Sequence, residues 1–349
     1  MSNNPIASLR DGSWDRKKVT NTLLDNALFI IMLIAIIYIA VKNPNFLKPA
    51  SIINIISQTA AYLPAALGIA GCIVLTGTDL SAGRIVGLTA CVSASLLQVA
   101  GSATKMWPGI DTLPIFVVIP IAMIIGAAIG SFNGFFVAKF KLHPFIVTLA
   151  TQLIVYTFLL LYVQMGNNKG MAISSLAPSY TNFVKGSILK IGNTPIPNYV
   201  WFAIILSGIM WFIWNKTTLG KNMFALGANE EAARVSGVNV MLTTIAVFAL
   251  AGAMYGITGF IEGARIGSNT ANTGLNYELD AIAACVIGGV SFVGGIGKIR
   301  GIIVGVFMLR LIFIGLNMIS IDQNLQYLIK GAIILFACAL DMRKYLVKK

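Results

Sequence analysis

The stretch Thr112–Ala138 reads TLPIFVVIPIAMIIGAAIGSFNGFFVA and carries no charged side chain. A helix of about 20 apolar residues crosses the hydrocarbon core of a bilayer, so this segment is long enough to span one. Comparable uncharged runs fall at 26–41, 49–78, 85–104, 142–168, 191–215 and 235–261. Of the 349 residues, 57% are hydrophobic and only 11% charged, whereas a soluble domain is about 25% charged. So few charges cannot cover a soluble globule of this size. A membrane barrel would show stretches of about 10 residues alternating apolar and polar instead of continuous apolar runs. The expected fold is all-α: a polytopic integral membrane protein.

Ten spans are expected, at 26–41, 51–76, 84–100, 113–137, 144–163, 199–215, 241–261, 279–293, 301–320 and 325–341, forming one transmembrane domain over 26–341. Residues 1–25 form a polar segment with Arg10, Arg16, Lys17 and Lys18. The apolar run after it lacks a small-residue cleavage site, so the first helix reads as retained. With the N-terminus inside, the cytoplasmic segments hold 16 Lys and Arg residues and the outer segments 7. Positive loops stay on the cytoplasmic side, which puts both termini, including a tail at 342–349, in the cytoplasm. The net charge of +13 follows from this bias. Its basic residues are scattered between apolar runs and form no nucleic-acid patch.

Two basic residues fall inside expected spans. Each would cost roughly 2.5–3.5 kcal/mol at a helix centre. Lys330 is expected to snorkel to the outer interface, and Arg310 to pair with a polar group or face a partner subunit. Small residues recur every four positions at Gly126, Gly130 and Gly134, and as pairs at Gly83 and Gly87, Gly252 and Gly256, and Gly301 and Gly305. Such spacing lets helix backbones approach closely in lipid. Cys72, Cys91, Cys285 and Cys338 all lie in apolar runs without C-x-x-C spacing, as buried small hydrophobes would.

Polar interruptions are where a path could lie. Thr76 to Gly83 reads TGTDLSAG between strongly apolar flanks. Two readings stand: Asp79 and Ser81 line or gate a polar path, or this is a cytoplasmic turn with Asp79 capping the next helix. Glu262 to Asp280, EGARIGSNTANTGLNYELD, is a second interruption that roughly mirrors the first. Paired interruptions in two halves can mark a transport site. Asn54, Gln58, Asn133 and Gln152 are further polar groups within or near spans. The candidate path or gate residues are therefore Asp79, Ser81, Asn54, Gln58, Asn133 and Asp280.

The longest charged stretch between spans is Lys216 to Val240, KTTLGKNMFALGANEEAARVSGVNV. Asn229 can cap a short helix there, with Glu230 and Glu231 well placed in its first turn and Gly237 as a stop. The string EAARVSG, Glu231 to Gly237, resembles the EAA-x-x-x-G loop by which ABC importer permeases contact their ATPase. TGTDLSAGR at Thr76 to Arg84, NYELDAIAACVIGGVSFVGGIG at Asn276 to Gly297 and the closing QYLIKGAIILFACALD extend the likeness over nearly the whole chain. Together they look like the sugar branch of these permeases, which serves ribose, xylose and galactose. Many ribose-type members read GGIDLSVG where this chain reads TGTDLSAG, so the resemblance leans to galactose or methyl galactoside.

That resemblance implies a bacterial inner-membrane permease of ten-helix subunits that pairs with a second copy of itself. It also implies an extracytoplasmic sugar-binding protein that delivers the ligand and a cytoplasmic ATPase that drives it, with no cofactor. The coupling helix would comprise Asn229, Glu230, Glu231, Ala232, Ala233, Arg234 and Gly237. No phosphate-binding loop is present, since Gly297-Lys298 is followed by Ile299 without the upstream glycine. An intramembrane enzyme is disfavoured by the lone His143 and the lack of any H-E-x-x-H or G-x-S-x-G pattern. Catalytic and metal-ligating residues are therefore expected to be absent. An ion-coupled secondary carrier would instead use Asp79 or Asp280 as its proton or sodium site.

Overall fold

The apolar runs become helices because nothing else satisfies backbone amides in lipid. A computed structural model describes residues 27–346. The basic segment expected at 1–25 and the last three residues of the tail lie outside the described residues. Thirteen α-helices occur among those described. They are α1 Ala27–Lys42, α2 Pro49–Val74, α3 Ala82–Leu96, α4 Ile115–Phe140, α5 Pro144–Gln164, α6 Pro178–Lys185, α7 Tyr199–Lys216, α8 Thr218–Ala228, α9 Glu230–Val235, α10 Val240–Ile266, α11 Tyr277–Ile287, α12 Ile299–Met318 and α13 Gln323–Leu346. A hairpin of β1 (Ser187–Ile191) and β2 (Thr194–Pro197) joins α6 to α7.

Each expected span corresponds to a helix, but not every helix crosses the membrane. Seven of those described (α2, α4, α5, α7, α10, α12 and α13) are long and apolar enough to do so. The expected spans 84–100 and 279–293 need correction. Their helices α3 and α11 have 15 and 11 residues, about 22 and 16 Å at ~1.5 Å per residue, and stop short of a bilayer's thickness. Both are instead enclosed by protein, with Ile85, Val86, Ala90 and Cys91 of α3 and Ala283, Ala284 and Cys285 of α11 fully or almost fully buried.

The glycine spacing does what it predicts. A Cβ on Gly126 would lie 2.0 Å from the Gly252 carbonyl oxygen, one on Gly130 2.1 Å from that of Phe248, and one on Gly256 2.2 Å from that of Ala122. Only glycine lets α4 and α10 meet backbone to backbone. The pairs on α3 and α12 serve shorter elements: Gly87 abuts the Thr273 carbonyl, and Gly301 and Gly305 those of Gly288 and Ala284. Outward faces carry Phe116, Ile124, Ile146, Leu153, Ile205 and Leu328, all exposed. Such a belt suits contact with acyl chains rather than water.

Candidate functional site

The first interruption folds back into the protein between α2 and α3. Thr148 at the start of α5 ties it down: its hydroxyl donates to the Thr78 carbonyl at 3.1 Å and accepts from the Leu80 amide at 3.1 Å. Asp79 is wholly buried just before the start of α3. Its Oδ1 accepts from the Ser81 amide at 3.0 Å and from the Ser81 hydroxyl at 2.6 Å. Asn133 on α4 donates to that hydroxyl at 3.0 Å. Three of the predicted residues, Asp79, Ser81 and Asn133, thus form one polar knot. The second carboxylate oxygen of Asp79 has no hydrogen-bond partner among the described residues, and no cation pairs with this carboxylate there.

The second interruption is shorter than expected. Helix α10 runs on to Ile266, because Glu262 and Arg265 neutralise each other across one turn. The Arg265 Nε and Nη2 donate to the two Glu262 oxygens at 2.7 and 2.8 Å, and Nη1 donates to Gln58 Oε1 at 3.2 Å. The non-helical chain then covers only 267–276 and runs alongside α3. Cys91 Sγ contacts the Thr270 carbonyl, Arg84 donates to the Ala271 carbonyl, and Gly274 packs on Gly83. Asn276 turns the chain at φ +64° into α11.

The two half-length helices therefore meet at their N-termini. A Cβ on Gly83 would lie 2.0 Å from Glu278 Oε2 and 2.5 Å from the Gly274 carbonyl oxygen. Helix N-termini favour carboxylates, and Glu278 and Asp280 both stand in the first turn of α11.

Asp280 takes two cations at once, Arg310 from α12 and Lys330 Nζ from α13, the latter at 2.5 Å. Lys330 does not snorkel outward as expected, since a buried carboxylate is the nearer partner. Arg310 finds the polar partner expected of it and also covers the Tyr62 ring at 3.5 Å. Tyr62 in turn stacks on Tyr277, with centroids 4.1 Å apart and planes at 12°. Gln58 and Asp280 thus belong to a second polar cluster, held together by Glu262, Arg265, Tyr62, Tyr277, Arg310 and Lys330. Asn54 stands apart and exposed on α2, and Gln152 is half-buried on α5.

The polar loop follows α7. Thr217 caps α8 through its hydroxyl, accepting from the Gly220 amide. Asn229 breaks α8 from α9 and caps the latter, its Oδ1 accepting from the Ala232 amide at 3.0 Å. Glu230 pairs with Arg234 at 2.6 Å, and Gly237 turns away at φ +85°. Ala233 is buried, while Val235 is 88% exposed.

Residues 51–338 match the pattern of the family described as branched-chain amino acid transport system / permease component. The chain belongs to that permease family. The permease is 44% identical to the galactose/methyl galactoside import permease protein of Escherichia coli K12 over 96% of its own length and 99% of that protein. It is 43% identical to the protein of the same name from Salmonella typhimurium, again over 96% and 99%. The ribose import permease protein of Haemophilus influenzae is 33% identical over 91% of the permease and 93% of the relative. No solved structure matches it. The resemblance to sugar-importer permeases read from the motifs is thus met along nearly the full chain.

Proposed function

We propose that this permease is the membrane subunit of an ATP-driven importer of galactose or methyl galactoside. The observation that carries the reading is the 44% identity to a permease of that name across 99% of its length. The capped, projecting α9 supports it, because an energy-coupling contact needs an exposed rigid element on an otherwise lipid-covered protein. In this reading Asn229 to Gly237 dock on a separate cytoplasmic ATPase, and an extracytoplasmic binding protein hands over the sugar. Two copies of the chain flank the path in the bacterial inner membrane, with both termini inside. The permease itself performs no catalysis.

Asp79, Ser81 and Asn133 then form an inner polar knot beside the path, and the Asp280 cluster an outer one. Uptake of radiolabelled galactose tests the scheme. It should survive a protonophore while ATP is maintained, and disappear when the ATPase subunit is deleted. Uptake that follows the proton gradient without any ATPase would overturn the reading and make Asp79 or Asp280 the site of an ion-coupled carrier.

A further inference from the structure

The polar loop, the first interruption and the turn between α11 and α12 touch at one point. Gly227, next to the end of α8, has no room for a side chain: a Cβ there would lie 1.8 Å from the Val74 carbonyl oxygen and 2.8 Å from the Gly295 nitrogen. Val74 is the last residue of α2, and its carbonyl accepts from the Gly295 amide at 2.9 Å. One residue earlier, a Cβ on Gly294 would lie 2.3 Å from Thr76 Cγ2 and 2.5 Å from the Gly227 carbonyl oxygen. Three segments therefore share one backbone junction: the end of α8, the chain entering the Asp79 turn, and the turn between α11 and α12.

Thr76 stands in this junction at φ +62°. A β-branched residue is a genuine outlier there. Such strain persists only where the surroundings over-determine it. Here those surroundings are the Gly294 backbone against its methyl and the hydroxyl's bond to the Leu75 carbonyl at 2.6 Å. Beside the junction lies a cavity of about 470 Å³ lined by Leu75, Thr76, His143, Gly227, Asn229 and Glu230, among others.

We propose that Thr76, Gly227 and Gly294 form a positioning joint that passes movement of the coupling helix to the buried Asp79 turn. The proposal rests on the importer reading and names the place where that energy enters the membrane. Glycines at the joint leave no flexible side chain to absorb a displacement. Moving Gly294 away from the Thr76 methyl would release the strain held there, which gives the joint a means of biasing the turn.

Proteoliposomes holding the permease, its ATPase and its binding protein provide the test, with labelled galactose imported per ATP hydrolysed as the readout. Thr76→Gly removes both the methyl contact and the strain, so the complex should stay assembled and hydrolyse ATP. Its sugar-to-ATP ratio should fall about tenfold, the size of an ordinary coupling energy. Thr76→Val keeps the methyl against Gly294 and loses only the hydroxyl's bond to the Leu75 carbonyl, so it should retain most of the sugar-to-ATP ratio. Gly227→Ala forces the junction apart and should uncouple as Thr76→Gly does. An unchanged ratio in Thr76→Gly, an equal loss in Thr76→Val, or a loss that tracks disassembly of the complex would overturn the joint. Absence of ATP-dependent uptake by the unmodified protein would bring down the importer reading itself, a distinct result.

Discussion

Asp280 bridges Arg310 and Lys330, and this makes it the residue whose loss the protein should tolerate least. All three side chains are largely withdrawn from solvent, at 8%, 11% and 15% exposure. Removing the carboxylate leaves two uncompensated charges, and breaking a buried pair by deleting one partner costs about 3–5 kcal/mol. Asp280→Asn should therefore lower the melting temperature of the detergent-solubilised protein sharply. Lys330→Met should have a milder effect, because Arg310 keeps its partner, and adding it to Asp280→Asn should recover part of the loss. Asp79 makes the opposite case. Asp79→Asn keeps an acceptor for the Ser81 amide and hydroxyl and orphans no cation, so stability should change by no more than about 1 kcal/mol, while galactose uptake falls if this carboxylate serves the path. Measuring both variants by melting and uptake separates structural from functional carboxylates. Only part of this was legible in the sequence. Arg310 and Lys330 stand out as costly charges within apolar runs, but their common partner lies 30 residues or more away along the chain, and no local pattern names it. Glu262 and Arg265 stand at a readable i,i+3 spacing, yet their charges look like the edge of a loop unless the pair is seen to cancel.

At the scale of elements, the glycine periodicity and the first interruption are legible, while the extent of the second and the lengths of α3 and α11 are not. The four-residue glycine spacing identifies the faces on which α4 and α10 meet, and it gives a graded test. Gly130→Val places a branched side chain where even a Cβ would be 2.1 Å from the Phe248 carbonyl oxygen, and overpacking of this kind reaches the upper end of about 1–3 kcal/mol. The protein should then fail to survive solubilisation as a monodisperse species. Gly208→Val on α7, where an added Cβ meets nothing within 4 Å, should elute normally from the same column. The shortness of α3 and α11 is not legible, because such apolar segments read alike whether they cross lipid or sit inside protein; hydropathy measures the solvent a segment avoids and not what replaces it. Helix α9 shows the reverse. Asn229, Glu230 and Gly237 are short-range signals, and the cap and the turn follow from them directly. Glu231→Lys reverses a side chain that is 78% exposed, so the permease should still insert and fold while uptake per ATP collapses. Normal transport by that variant would remove α9 from the coupling surface.

The whole molecule is an asymmetric body in an asymmetric membrane, and its orientation follows from charge rather than from any contact. Lys139, Lys141, Lys216, Lys221, Lys298 and Arg300 gather around the end that bears α8 and α9, while the hairpin of β1 and β2 marks the other end. Under the proposed importer reading, retention of positive loops on the cytoplasmic side would put α9 inside, where an ATPase would be, and the hairpin outside. Single cysteines report it directly. Cys72, Cys91 and Cys285 are buried, so a Cys338→Ala background should react little with a membrane-impermeant maleimide. Ile188→Cys in β1, at a position 76% exposed, should label in spheroplasts, whose inner membrane is intact. Val235→Cys in α9, 88% exposed, should label only in inverted vesicles. The reverse pattern would put α9 outside and remove the basis for ATP coupling through this loop. Labelling of Val235→Cys that is blocked when the ATPase subunit is added back to the vesicles would locate the docking surface by the same measurement.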